Sequence, residues 1–155
     1  TLRIASDKSF STRNGIQVEL TTPQLQRLVV HGNGEVAVRG MDGARLAAES
    51  SGTSTLTIED AATGRLELRV HGSGGVTGSG YTDQLDVQLT GAANIELADL
   101  RAQDARVRLE GSGNIAVHAT RSLSGELSGS GLIKVSGNPE IRESNVTGAG
   151  TIIYE

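Results

Sequence analysis

The 155-residue chain has no cysteine, no tryptophan, one methionine, two prolines and only three aromatic residues, Phe10, Tyr81 and Tyr154. Without cysteine there is no disulfide framework, and an oxidising compartment is permitted without being required. No apolar run approaches the roughly 18 residues that a membrane-spanning helix needs. Basic charge is also short: 14 Lys+Arg stand against 18 Asp+Glu, a formal net charge of −4. That balance leaves no cationic stripe to neutralise phosphates, so nucleic acid is not expected as a partner. Glycine is plentiful, but Gly and Pro together make only about 15% of the chain, below the roughly 25–30% of a low-complexity segment and above what a helical bundle carries. These numbers fit one soluble domain long enough to bury a core. A start at Thr1 without methionine is what removal of an upstream segment leaves.

What is present is a repeat. Glycine-centred corners recur at Gly32, Gly52, Gly72, Gly91, Gly111, Gly129 and Gly148, at spacings of 20, 20, 19, 20, 18 and 19 residues. Counting from each glycine, offset +4 holds Val36, Leu56, Val76, Ile95, Ile115, Ile133 and Ile152, and offset −2 holds Val30, Ser50, Val70, Leu89, Leu109, Leu127 and Val146. Over the five columns −6, −4, −2, +4 and +6, Val, Leu or Ile fills 26 of 35 slots, whereas the interleaved columns carry only Val29 and Ile153. Such period-two alternation means strands with one face buried. Restacking of the same columns every 20 or so residues predicts a parallel β-helix of about seven coils, each adding about 4.8 Å.

Each repeat supplies one strand before the corner and one after it, and segments such as 39–44 and 100–105 complete the return. Glycine at the corner supplies dihedrals that a β-carbon forbids and lets stacked backbones approach. Ser54, Ala92 and Ala93 interrupt the pattern and Gly78 takes an inward slot, so a looser or bulged coil is expected around 72–80. Ile16 and Val18 lie 20 residues before Val36 and Val38, which places a partial coil ahead of the first full one. The domain organisation is therefore an N-terminal cap and incomplete coil over 1–24, where Pro23 disfavours a central strand, followed by repeats over 25–155.

The runs GSGNI (111–115), GAANI (91–95), GSGLIKVSGNPEI (129–141) and VTGAGTI (146–152) resemble the Putative auto-transporter adhesin, head GIN domain family. The resemblance covers about 16–155 and is strongest from 66 onward. It implies a right-handed β-helix similar to pectin lyases but lacking their catalytic residues, at a bacterial cell surface: exported, and periplasmic, outer-membrane-associated or extracellular. Ala92, Ala93 and Leu132 depart from the family pattern.

Candidate chemistry is sparse. His31 and His71 share a column, but Ser51 separates them by two coils, about 9.6 Å, too far for one ion to bridge. His118 stands in another outward column. Asp60 and Asp99 likewise skip a coil, with Gly80 expected between them, and no aspartate follows a GSG corner, so calcium is not expected. Ser73, Ser112 and Ser130 read as turn residues without a base in reach, and the glycine corners open strands instead of the helices a phosphate loop requires.

Outward charges should pair between coils as Glu49 with Arg69, Asp86 with Arg106, and Arg108 with Glu126. Asn94 and Asn114 are positioned for a short amide ladder, and Asn145-Val146-Thr147 is a glycosylation sequon by pattern. Asn94, Asn114 and Tyr81 are the binding candidates; no catalytic residue, cofactor or metal is expected. The leading reading is a non-enzymatic surface or envelope module in adhesion or assembly, with a cell-surface glycan or protein as partner. A polysaccharide-binding or polysaccharide-active protein is the alternative, although paired carboxylates and several stacking aromatics are missing. A third reading is a self-associating scaffold, because an open β-helix end presents unpaired backbone.

Overall fold

The computed structural model describes residues 17–21, as backbone, and residues 25–155. The described residues form eleven strands: β1 (Gln17–Thr21), β2 (Arg27–Gly32), β3 (Glu35–Arg39), β4 (Asp42–Gly52), β5 (Thr55–Gly72), β6 (Gly75–Gly91), β7 (Asn94–Gly111), β8 (Asn114–Gly129), β9 (Leu132–Ser136), β10 (Ile141–Gly148) and β11 (Thr151–Tyr154). All the pairings between them are parallel. Residues after the glycine corner stack in the order β1-β3-β5-β6-β7-β8-β9-β11, and those before it stack as β2-β4-β5-β6-β7-β8-β10. The result is an all-β solenoid of about seven coils. Among the described residues no helix is long and apolar enough to cross a membrane.

The aliphatic columns are stacked interior files. Ile95 pairs with Ile115 and Ile115 with Ile133, and each is at most 1% exposed. One continuous cluster runs from Leu25 to Val135. Four polar side chains are buried with it, and each has a partner: Ser50 and Ser54 hydroxyls lie 2.7 Å apart, and Thr63 donates to Thr82, which donates to the Gln84 carbonyl. Ser50 in an aliphatic column and Ser54 in the small-residue column after the corner thus satisfy each other across one corner, which removes the cost of burying either hydroxyl alone.

The register of β1 and the placement of Asp60 differ from the sequence expectation. Val18 is in register with Val36 and Leu20 with Val38, not Val18 with Val38; a slide of two residues preserves a period of two, so the alternation alone cannot distinguish these registers. Ile16 and Pro23 lie outside the described residues, as does most of the predicted 1–24 cap. Asp60 is not in one ladder with Gly80 and Asp99: it has φ 54° and falls within a register shift between Ile58 and Ala61, so that Gly80 pairs with Ala61 and Leu100 while Ser79 faces Asp99. The return segments do complete the coil: 100–105 lies within β7, and 39–44 carries the break at residues 40–41 between β3 and β4. A further shift between Thr77 and Ser79 accompanies inward Gly78, whose missing side-chain volume is taken by Leu97; a Cβ there would lie 2.6 Å from its δ-carbon.

The glycine file is a column of backbone in contact with backbone. All seven corner glycines have positive φ, from 94° to 127°. A Cβ on Gly52 would lie 2.6 Å from the Gly32 carbonyl oxygen, and at Gly72, Gly91, Gly111 and Gly129 the oxygen of the glycine beneath is closer still. Those oxygens accept hydrogen bonds from the next coil, as from Ser73 to Gly52 and from Ser112 to Gly91.

Two residues further on, the size of one side chain follows that of another. A methyl on Gly113 or Gly131 would lie 2.7 or 2.5 Å from a δ-carbon of Leu89 or Leu109 in the preceding coil, and Gly150 meets Leu127 in the same way. Where that inner residue is Val30 or Val70, which has no δ-carbon, the next coil carries Ser54 or Ala93. Ala93 is therefore a packed residue, 1% exposed, and not a flaw in the repeat. The backbone oxygen beneath is a second constraint that these glycines share: a Cβ would press on it at Gly113 and Gly131, and most closely at Gly74, which follows Ser50.

β10 pairs with β8 but is exposed along its whole length, including Val146, which was expected inside. Its position is as predicted, beside Leu127. At the inward slot above Leu123 stands Arg142, whose guanidinium lies 4.8 Å from the ring centre of half-buried Tyr154. Arg142 also donates to the Pro139 carbonyl at 3.0 Å and to the Asn138 side chain.

Candidate binding surface

Side chains that point outward fall into columns, and three of these meet on coils built from β6, β7 and β8. Tyr81 pairs with Arg101. Thr82 and Gln84 pair with Ala102 and Asp104, which sets Asp83 beside Gln103, and Asp104 pairs with Ser122. Irregularities between Leu97 and Arg101 and between Ala102 and Asp104 break strict alternation here. Bulges of this kind re-aim side chains, and adjacent residues 103 and 104 are both partly exposed.

The patch is internally bonded. The Tyr81 hydroxyl donates to Asp83 Oδ1 at 2.8 Å and accepts from the Gln103 amide, which also donates to Asp83 at 3.3 Å. With its hydroxyl held twice, the ring has a fixed orientation while remaining 43% exposed. Beside it, Arg121 reaches Asp104 with both Nε and Nη2, and Ser122 donates to the same carboxylate at 2.7 Å. A groove of about 310 Å³ adjoins this pair, lined by Gln84, Asp86, Asp104, Arg106, Ser122 and Ser124.

The hydrogen bond from Arg121, helped by that from Ser122, holds the Asp104 carboxyl down to about 2 from an ordinary 3.8. A carboxyl more acidic in the folded state stabilises the fold above its unfolded value, and that contribution fades as pH drops from about 4 toward 2. Asp104→Asn is therefore expected to cost about 1 kcal/mol at pH 7, the upper end for an exposed ion pair. The thermal midpoint should fall by about 2–4 °C, and the gap from the parent should close near pH 2. A pH-independent gap contradicts the assignment.

Elsewhere the outward columns bond mainly between coils. Glu67 is held below its usual range by the Arg45 hydrogen bond first, with Arg65 and Arg69 adding to it. Arg108 reaches Glu126 with two nitrogens, as the columns predicted. Glu49 and Arg69 are neighbours in register, but the ion pair of Glu49 is with Arg27 at 3.7 Å; Asp86 and Arg106 are also register neighbours.

Asn94 and Asn114 are adjacent, but the Asn94 amide donates to Glu96 at 3.0 Å: the carboxylate two residues along the strand is the nearer acceptor for the end of the amide. His31 and His71 flank Ser51, and His31 Nδ1 lies 2.5 Å from its hydroxyl. His118 Nδ1 lies 3.1 Å from Ser136. Among the described residues no three of His, Asp and Glu come together as a metal site.

Of the three binding candidates, Tyr81 belongs to the patch and the two asparagines belong to the strand after the corner, elsewhere on the coil. Arg101, Asp83, Gln103 and the Arg121–Asp104–Ser122 cluster went unrecognised. A frame anchored on the glycine corner spans offsets −6 to +7, and these residues occupy offsets −10 to −7. The signal was available: Arg101 and Gln103 lie 20 residues beyond Tyr81 and Asp83.

Among solved structures, the chain is similar to a putative adhesin from Bacteroides fragilis, with a TM-score of 0.80 and 30% identity over 86% of this chain and 62% of that one. It is also similar to a putative lipid binding protein from Parabacteroides distasonis, with a TM-score of 0.75 and 26% identity over 90% of this chain and 56% of that one. The chain thus spans less than two thirds of either solved protein. No curated protein matches it. The family model described as Putative auto-transporter adhesin, head GIN domain matches residues 1–139, and the chain belongs to that family.

Proposed function

We propose that this chain is a non-enzymatic module of a bacterial cell surface, exported and displayed there, whose solenoid presents fixed columns of polar side chains for adhesion. The observation that carries this reading is the bonded patch around Tyr81: its partners are held by neighbouring coils of a continuous sheet, which gives a preorganised surface at small entropic cost on binding. Family membership and the likeness to an adhesin support it. The lipid-binding name belongs to the other neighbour; here the patch offers one exposed ring and no apolar cavity for an acyl chain. Beads coated with the chain are expected to be retained on bacterial or host cell surfaces and released by excess soluble chain. Retention no greater than that of albumin-coated beads refutes adhesion, and residue-dependent depolymerisation of a polysaccharide refutes the non-enzymatic part.

A second reading, self-association along β10, is favoured by the exposure of this strand with Ile141 and Val146. Arg142 opposes it, since an inward-pointing charge at a sheet edge is a device against edge-to-edge pairing. Arg142→Leu is expected to raise the scattering mass with concentration relative to the parent chain. Identical scattering profiles for the two proteins count against this role.

A further inference from the structure

We infer that Tyr81 and Arg101 form the centre of a site for an acidic pyranose, a sugar unit that carries a carboxylate, within a surface polysaccharide. The inference rests on the adhesive reading above and specifies its ligand. Four observations carry it. The Tyr81 ring is exposed yet fixed through its hydroxyl by Asp83 and Gln103; such a ring offers a pyranose an apolar face to stack on with little further ordering. Arg101 stands on the next strand directly beside Tyr81. It is exposed and, among the described residues, has no ion-pair partner, whereas Arg121 is taken up by Asp104 and Arg108 by Glu126. A guanidinium that is always charged and free to fork onto a carboxylate is suited to a uronate. Finally, the groove beyond Asp104 continues the polar surface along the strands, with Gln84, Ser122 and Ser124 as hydroxyl-matching groups.

Other partner classes fit less well. A protein interface needs about 800 Å² per partner with an apolar centre, and this patch supplies a single ring. A nucleic acid would meet a chain of net charge −4 with no basic stripe. A sugar needs only what is here: one stacking face, an amide, a carboxylate and a cation within two coils.

The test is calorimetric titration of the whole chain with alginate oligomers, which carry a carboxylate on each unit, and with dextran oligomers, which carry none. Alginate is expected to bind and dextran to bind at least tenfold more weakly. Tyr81→Ala and Arg101→Gln should each weaken alginate binding about tenfold or more. Tyr81→Phe, which keeps the ring, should lose less than Tyr81→Ala. Because all three substitutions are on the surface, thermal midpoints within about 2 °C of the parent establish that any loss lies in the site. Absence of alginate binding, equal affinity for dextran, or affinity untouched by both Tyr81→Ala and Arg101→Gln overturns the assignment. The bead assay separates the two claims: retention that survives both substitutions sinks the sugar site and leaves adhesion standing, whereas no retention of the parent chain sinks adhesion itself.

Discussion

Gly111→Ala is expected to lower stability by about 3 kcal/mol or more, with Gly32→Ala costing about 1 kcal/mol, although both replace a corner glycine of positive φ. Both variants carry the conformational strain of a β-carbon, at φ 126° and 94° respectively. Gly111 adds a collision, because its Cβ would press on the Gly91 carbonyl oxygen, while among the described residues a Cβ on Gly32 meets nothing within 4 Å. Backbone cannot rotate aside as a side chain can, so coils must separate locally, and the hydrogen bond from Ser112 to that oxygen is strained with them. For a domain of this size the thermal midpoint should fall by roughly 6–12 °C for Gly111→Ala and 2–4 °C for Gly32→Ala. Equal shifts would mean that φ alone selects glycine, and that the close stacking of corners does not matter.

The same distinction explains how much of the fold was legible. Period-two alternation and a fixed spacing of corner glycines are consequences of stacking itself, so the parallel solenoid, its coil number and the files through Ile95, Ile115 and Ile133 are readable without coordinates. Registers that differ by two residues are not: Val18 opposite Val36 and Val18 opposite Val38 keep the same alternation in sequence, and only the backbone chooses between them. Bulges are equally silent. Asp60 falls out of the ladder because the chain takes an extra residue there, and the repeat length absorbs it by one residue more or less. Val146 shows a third limit, since a column position says which way a side chain points and not whether anything lies above it.

The candidate surface was missed for a related reason. The glycine corner is the strongest local signal, and counting from it makes its near neighbours vivid and the far side of the coil featureless. Yet the far side is where two irregular strands let Gln103 and Asp104 both reach solvent. In the regular stretches charges also bond between coils, as Arg108 does with Glu126. The proposed recognition surface thus lies where the repeat is least regular, a placement common for bulges beside functional sites.

The second large effect concerns packing inside the corner. Val70→Leu is expected to destabilise by about 2 kcal/mol, in the range for overpacking a filled core, and Ala93→Gly introduced with it should recover most of the loss. The reasoning is internal to the chain: Leu89, Leu109 and Leu127 each project a δ-carbon into the space left by Gly113, Gly131 and Gly150, while Val70 precedes Ala93. Leucine at 70 would send its δ-carbon into the methyl of Ala93, which is buried and without room to move. In the double variant the pair copies the arrangement of the later coils. Ala93→Gly alone should cost about 1 kcal/mol, through lost packing and the greater entropy of glycine in the unfolded chain. Urea midpoints of the parent, the two single variants and the double variant give the coupling directly. A coupling energy near zero would show that these two positions do not share one volume, and that the sequence of small and large residues along the corner has some other origin.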